Sequence, residues 1–399
     1  MDELERDVCI IGAGPTGGTL ACILAAEGIS TAVLDTAPLP PMEHPDFDGR
    51  AYAIAAGPQR VLERAGLWER LPIAPGAITG IRVSDGKVGR RPSKLFLHFD
   101  SAEAEGGPFG YMVEARALRM ALNARLASLD ALDVFAPATA EVTRHEDHAI
   151  VQVHGGPRIT ARLVVAAEGR RSPLRAAAGI RSTTLAYGQS GIVCAIAHSQ
   201  PHYGTALEHF LPGGPFAQLP LAANEAADHA SAIVWTDKTD IANRLMRVDD
   251  ASFLRELSRR MGDHLGELRL LGRRWAYPLT ALLVERYTAT RLALVGDAAH
   301  GVHPIAGQGL NLGFRDIDAL ANLILEGGDP GAPETLRRYQ ATRRPDNLAM
   351  LAATDSLDRL FSNDIPPIRL ARDLGISAVH RLPGLKRLFM RQAMGALMA

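Results

Sequence analysis

Apolar positions follow two patterns in the first 35 residues of this chain. Residues 8–11 (VCII) are a short, wholly apolar run, as a strand buried on both faces of a parallel sheet requires. From about 16 to 27 the spacing and length become helical, and Gly28 ends the stretch. Residues 32–34 are a second apolar strand, closed by Asp35. Strand, turn, helix and strand in this order predict a βαβ unit. Much later, residues 292–295 predict another buried strand, ending abruptly at Gly296-Asp297. Beyond it Leu310, Phe314, Ile317, Ala321 and Ile324 recur at steps of 4, 3, 4 and 3, which is one buried face of a helix. The middle of the chain differs. "QSGIVCAIAHS", "TALEHFLP", "PFAQLPL" and "SAIVWTD" are short β-like runs broken by Gly, Pro and polar clusters.

The turns carry the candidate chemistry. Gly12, Gly14 and Gly17 fit G-x-G-x-x-G between the first strand and its helix. The first glycine makes the tight turn, the second lets a pyrophosphate approach the backbone, and the third lets helix and strand pack. The helix N-terminus then offers N–H groups to phosphates, and Asp35 is placed to accept hydrogen bonds from a ribose diol. This unit alone predicts dinucleotide binding without separating NAD from FAD. Asp297 stands at the carboxyl end of its strand, where ligands of α/β sheets bind. Gly307, Gly309 and Gly313 open the following helix, so a flat ring can lie against bare backbone there, facing a helix N-terminus.

Composition narrows the classes. At 399 residues, with 47% hydrophobic and 22% charged residues, the chain reads as a soluble globular protein of two or three domains. A formal net charge of −1 gives no reason to expect nucleic acid. Cys9, Cys22 and Cys194 form no C-x-x-C, which argues against a disulfide framework, a metal site and a dithiol centre. An acidic N-terminus and no apolar run of about 18 residues predict a cytoplasmic protein without a spanning segment. From 366 to 399, Arg369, Arg372, Arg381, Lys386, Arg387 and Arg391 face Asp373 alone, beside an apolar helical face. Packing on the core, or peripheral contact with anionic lipid or with a partner, fits that tail.

"GDAAHGVHPIAGQGLNLGFRD" at 296–316 resembles the second flavin motif of the p-hydroxybenzoate hydroxylase fold, the FAD-dependent aromatic monooxygenases. With "FDGRAYAIAAGPQRVLERAGLW" at 47–68, "YMVEARALRMAL" at 111–122, "VVAAEGRRSPLR" at 164–175 and "GPFAQLPL" at 214–221, the chain most resembles the ubiquinone-biosynthesis hydroxylases of that group. The resemblance implies an α/β fold: a Rossmann-like FAD-binding domain of the glutathione-reductase type, an inserted antiparallel β-sheet substrate domain, and a C-terminal helical segment. The FAD-binding domain is expected at 1–70, 105–180 and 280–360, the substrate lid at 71–104 and 181–279, and the helical segment at 361–399. It implies FAD, NADPH or NADH as external reductant, and dioxygen as co-substrate. The implied reaction is hydroxylation of a polyprenylated phenol through a flavin C4a-hydroperoxide. A ubiquinone-biosynthesis complex, peripheral membrane contact and a homo-oligomer are partners it leaves open.

By the same resemblance Gly12, Gly14, Pro15, Thr16, Gly17 and Asp35 hold the ADP half. Arg50 lies near the pyrophosphate and flavin, Arg116 beside the FAD, and Asp297 on the ribityl chain. Pro304, Gly307, Gln308, Gly309, Leu310 and Asn311 form the flavin-ring loop. His303, next to that loop, is the candidate catalytic contact. The chain departs from the pattern at Glu168-Gly169, where the family has Asp-Gly in a motif linked to FAD and to the nicotinamide donor. A hydroxylase of a small soluble phenol such as a hydroxybenzoate, and a flavin-bearing assembly subunit without hydroxylase activity, are the alternatives.

Overall fold

The computed structural model describes residues 2–39, 48–89, 96–103 and 107–362. The expected C-terminal helix lies, apart from residues 361 and 362, outside the described residues, as does most of the Pro-rich 38–49 loop.

Three sheets organise the described residues. The first has eight strands, and its central path runs Thr288–Ala289, Leu292–Leu294, Arg158–Ala166, Glu3–Ile11, Thr31–Leu34 and Leu132–Phe135. The last five of these are mutually parallel. Thr31–Leu34, Leu292–Leu294 and the apolar runs that end the two longer strands are buried, as expected for parallel strands covered on both faces, whereas Leu132–Phe135 carries Asp133 and is only partly buried. The first strand begins earlier than its apolar run, because Glu3 to Arg6 extend the pairing to Arg158–Ala161. Helices Pro15–Ala26 and Gln308–Leu325 pack on the sheet. Leu20, Leu24, Val164, Leu294, Phe314 and Ile317 lie in one core, each contributing roughly 1.5–3 kcal/mol by leaving water. Tyr339, from the long helix Pro333–Phe361, closes this core and donates its hydroxyl to Leu294 O at 2.7 Å.

The register decides where the motifs meet. Ile11 pairs with Leu34 and Ala166, Ala166 with Leu294, and Leu34 with Phe135. The carboxyl ends of four strands are therefore level, and Gly12, Asp35, Glu168 and Asp297 emerge along one edge.

The second sheet also has eight strands, in the order His300–Gly301, Leu268–Val284, Ser182–His198, Ala230–Lys238, Gly214–Leu221, Thr205–Leu211, Gly80–Asp85 and Phe96–Asp100. It is antiparallel except where Thr205–Leu211 runs parallel to Gly80–Asp85. Those strands come from distant parts of the chain, so no hairpin dictates their direction. The region also contains two helices that its β-like runs did not suggest, Thr239–Leu245 and Asp250–Met261. The second is capped by Asp249, whose carboxylate accepts from Ser252 N–H, and buries Phe253, Leu257 and Met261. A third, small sheet is made of Ala51–Ala55, Gly110–Glu114 and Gly76–Ile78.

Candidate active site

The three glycines of the first turn do different work. Gly12 has φ +109°, and a Cβ there would lie 2.4 Å from Ala167 O. A Cβ on Gly17 would lie 2.0 Å from Gly12 O. Both positions are closed to any side chain. A Cβ on Gly14 would meet nothing within 4 Å, so this backbone faces open space. Helix Pro15–Ala26 starts there with Pro15 in its first turn, no side-chain cap and no acid in the first turn. Its leading N–H groups are thus left for a ligand. Asp35 accepts from Ala13 N–H at 2.8 Å and Ala37 N–H at 2.9 Å, which fixes its carboxylate at the strand edge.

Thr16 joins the two motifs. Its hydroxyl lies 3.1 Å from where a Cβ on Gly296 would stand and 2.9 Å from one on Gly313. Gly296 itself has φ +57°. It opens the 3-10 turn Gly296–Ala298 carrying Asp297, whose half-exposed carboxylate takes Arg170 Nε at 3.2 Å. Arg170 also donates to Thr280 O at 2.9 Å.

Beneath this turn lies a polar network. The carboxylate of Asp316, fully buried, accepts from Gly296 N–H (3.0 Å), Arg343 Nε (2.9 Å) and Asn347 Nδ2 (3.0 Å), and lies 2.6 Å from His300 Nε2. Burial alone would raise its pKa, but the charge and hydrogen bond of His300, with Arg343 and Asn347, prevail and hold it at about 2. The anion thereby fixes the backbone one residue before Asp297.

The flavin-ring loop is built on the next helix. Gly307 is left-handed (φ +63°) at the N-cap of Gln308–Leu325, again without a side-chain cap. Gln308, Gly309, Leu310 and Asn311 therefore form the first helical turn rather than a loop. A Cβ on Gly309 would meet nothing. Asn311 is buried and clamps the turn: its Oδ1 accepts from Ala55 N–H at 3.0 Å, and its Nδ2 donates to Ala53 O at 2.9 Å and Gly307 O at 3.1 Å. Leu310 is partly buried against the main core.

Arg50 and Arg116 are brought together by register, since Ala51 pairs with Glu114 and Ala115 N–H donates to Arg50 O at 2.9 Å. The Arg50 guanidinium is bound to Asp48 (2.5 Å) and lies 4.9 Å over the Trp275 ring. Arg116 donates to Glu114 at 2.6 Å. Glu168 turns to the short helix after it, accepting from Ser172 Oγ at 2.5 Å and Leu174 N–H at 3.3 Å. Burial still raises its carboxyl above the usual range. His303 is fully buried, edge-on to Tyr187 at 4.9 Å, with Nε2 3.7 Å from Asp358 and lacking a hydrogen bond. Burial pushes its imidazole below the ordinary value. It stands outside the lining of the cavity described next.

A cavity of about 720 Å³ opens beside this loop. Pro304, Gly307, Gln308 and Asn311 form one wall. Opposite are strands of the second sheet, with Pro215, Ala217 and Leu219 from "GPFAQLPL". The end of helix Pro333–Phe361 also lines it, and Phe361 stacks on Phe210 at 4.0 Å. Its walls are overwhelmingly apolar, and among the described residues Glu208 is the only ionisable side chain in them.

A family model described as an FAD binding domain matches residues 5–354. The chain belongs to this FAD-binding family. It is 50% identical over 396 residues to the ubiquinone hydroxylase UbiL of Rhodospirillum rubrum, covering 98% of this chain and 90% of that protein. It is 33% identical over 403 residues to the 3-demethoxyubiquinol 3-hydroxylase of Escherichia coli, covering 99% and 100%. Its fold matches pqsL, a probable FAD-dependent monooxygenase from Pseudomonas aeruginosa, with a TM-score of 0.76 at 23% identity over 94% of this chain and 100% of that one. The protein is thus an FAD-dependent hydroxylase of the monooxygenase class, in the α/β fold class that its resemblance implied.

The geometry fits that cofactor. Two uncapped helix N-termini, two glycines with open space at Cβ, and Asp35 and Asp297 on one sheet edge suit the phosphates, ring and sugar-like chain of FAD. Sequence reasoning missed Asp316, Arg343 and Asn347. They were visible only as "FRD" and "RRPDN", ordinary polar residues on amphipathic helices. It also missed Arg170 and Glu208.

Proposed function

We propose that this enzyme hydroxylates the aromatic ring of a polyprenylated phenol in ubiquinone biosynthesis, using FAD, NADPH or NADH, and dioxygen. The observation that carries this is the cavity: about 720 Å³ of apolar space against the flavin-ring loop, a size suited to a hydrophobic ligand. Identity to two enzymes named for ubiquinone-pathway hydroxylation supports it. A soluble hydroxybenzoate is disfavoured. No Lys or Arg lines the cavity among the described residues, and Glu208 would repel a carboxylate.

In this proposal Gly12, Gly14, Pro15, Thr16, Gly17 and Asp35 hold the ADP half of FAD. Arg50 supplies positive charge near the pyrophosphate and flavin, Arg116 stands beside the FAD, and Asp297 binds the sugar-like chain. Pro304 and the turn Gly307, Gln308, Gly309, Leu310 and Asn311 carry the ring. Bound FAD supplies the oxygen-activating chemistry. The chain orients the phenol ring and excludes water with its apolar walls. The flavin-binding body comprises 1–70, 105–180 and 280–360, and 71–104 with 181–279 form the lid. Among the described residues no helix is long and apolar enough to cross a membrane. A greasy substrate and the basic 366–399 segment support peripheral membrane contact. Deleting the gene from cells without a second such hydroxylase should make them accumulate a prenylated phenol at least one ring oxygen short of ubiquinone. Normal ubiquinone would overturn the proposal.

A further inference from the structure

The cavity contains one acid that the flavin motifs do not explain. Glu208 lies on strand Thr205–Leu211, sharing a face with Ala206 and Phe210, both in the apolar cluster around the cavity. Across the ladders it faces Ala217 on one side and Val83 on the other. The helix over the cavity contributes Met350, Ala353, Thr354 and Leu357 to the lining. None of these elements points a second charged or titratable side chain at it among the described residues. Its carboxylate takes no hydrogen bond or ion pair from any of them.

An acid without a partner in an apolar cavity calls for a ligand that brings one. We propose that Glu208 is the proton acceptor for the substrate's phenolic hydroxyl, a catalytic residue within the hydroxylase function assigned above. The phenol O–H proton passes to a Glu208 oxygen while the oxygen's electron pair feeds the ring. After the ring carbon has gained its hydroxyl, the hydrogen it carried leaves as a proton, which ends in the water formed from the second oxygen atom of dioxygen. The proton on Glu208 then returns to the phenolate oxygen. The new oxygen comes from the hydroxylation itself, so no further reagent is needed. Burial lifts this carboxyl from 4.5 to about 7, which brings it closer to a phenol's pKa of about 10 and suits it to general-base work at neutral pH.

The test uses the FAD-loaded protein, 2-farnesylphenol as probe, and the variants Glu208→Gln and Glu208→Asp, each checked for unchanged FAD content. Infrared difference spectra between acid and alkaline pH should show a carboxylic acid C=O band titrating near 7 in the wild type. The band should be missing in Glu208→Gln and should shift when the phenol is added. In turnover, kcat/KM should fall on the acid side of about 7 in the wild type. Glu208→Gln should lose about 10²–10⁴-fold together with that limb, and Glu208→Asp should recover part of the loss. A band unmoved by the phenol, no such band, or a Glu208→Gln rate within about threefold of wild type would overturn the proposal. If the wild type makes no hydroxylated product, the hydroxylase function fails instead, and the infrared band still decides Glu208.

Discussion

Replacing Asp316 with Ala removes the one acceptor shared by Gly296, Arg343, Asn347 and His300. Arg343 keeps an ion pair to Asp346 at 2.7 Å, so its charge is not wholly abandoned. The Gly296 N–H and one Asn347 N–H are left buried without partners, at roughly 1–3 kcal/mol each. Breaking a buried pair costs about 3–5 kcal/mol, and that is the expected loss of stability. Asp318→Ala on the same helix is the control. Its pair with Arg64 is half-exposed at 3.1 Å, so it should cost at most about 1 kcal/mol. The sign with pH follows from the carboxyl being held at about 2 against an ordinary 3.8. The native state then binds fewer protons than the unfolded chain, so this stabilisation is complete above about pH 4 and is lost as pH falls toward 2. It amounts to roughly 2–3 kcal/mol. Denaturant unfolding of both variants, with FAD content measured on the same samples, checks the argument. Asp316→Ala should unfold earlier and lose FAD, because the turn carrying Asp297 is no longer fixed. Equal midpoints for the two variants, with FAD retained, would refute it.

The glycines make a paired prediction. Gly17→Ala should lower stability by at least about 1–3 kcal/mol, because its Cβ meets Gly12 O at 2.0 Å, whereas Gly14→Ala should keep the fold and weaken FAD binding. Unfolding midpoints and equilibrium dialysis separate these outcomes. Asp297→Ala should lower FAD occupancy with little change in unfolding midpoint, since the carboxylate is half-exposed; full occupancy after dialysis would remove it from the site. Glu168→Asp shortens the reach to Ser172 Oγ and should change the rate of flavin reduction by NAD(P)H at constant FAD content. Identical stopped-flow rates would leave Glu168 with no part in reductant handling.

Local features of the fold were readable in the sequence. The strands ending at Ile11, Leu34 and Leu294 are apolar because both their faces are buried, and the glycine spacing is fixed by backbone contacts inside one turn. What escaped depends on distant partners. Asp316 is recognisable only when Arg343 and Asn347, from another helix, stand beside it. Glu208 was in view in "TALEHFLP", alternating with Ala206 and Phe210. That alternation did not reveal which face would line a cavity. The helix Asp250–Met261 had a readable signal, Asp249 three residues before Ser252 and apolar residues at 253, 257 and 261. It was hidden by the β-rich runs around it.

Oxygen transfer is the central claim, and labelled dioxygen tests it most directly. The purified FAD-loaded protein would be given NADPH or NADH, 2-farnesylphenol and isotopically heavy dioxygen, and the phenol analysed by mass spectrometry. The account predicts a ring-hydroxylated product carrying one heavy oxygen atom, formed in step with the reductant consumed. Reductant consumed with no heavy oxygen in the ring would contradict it.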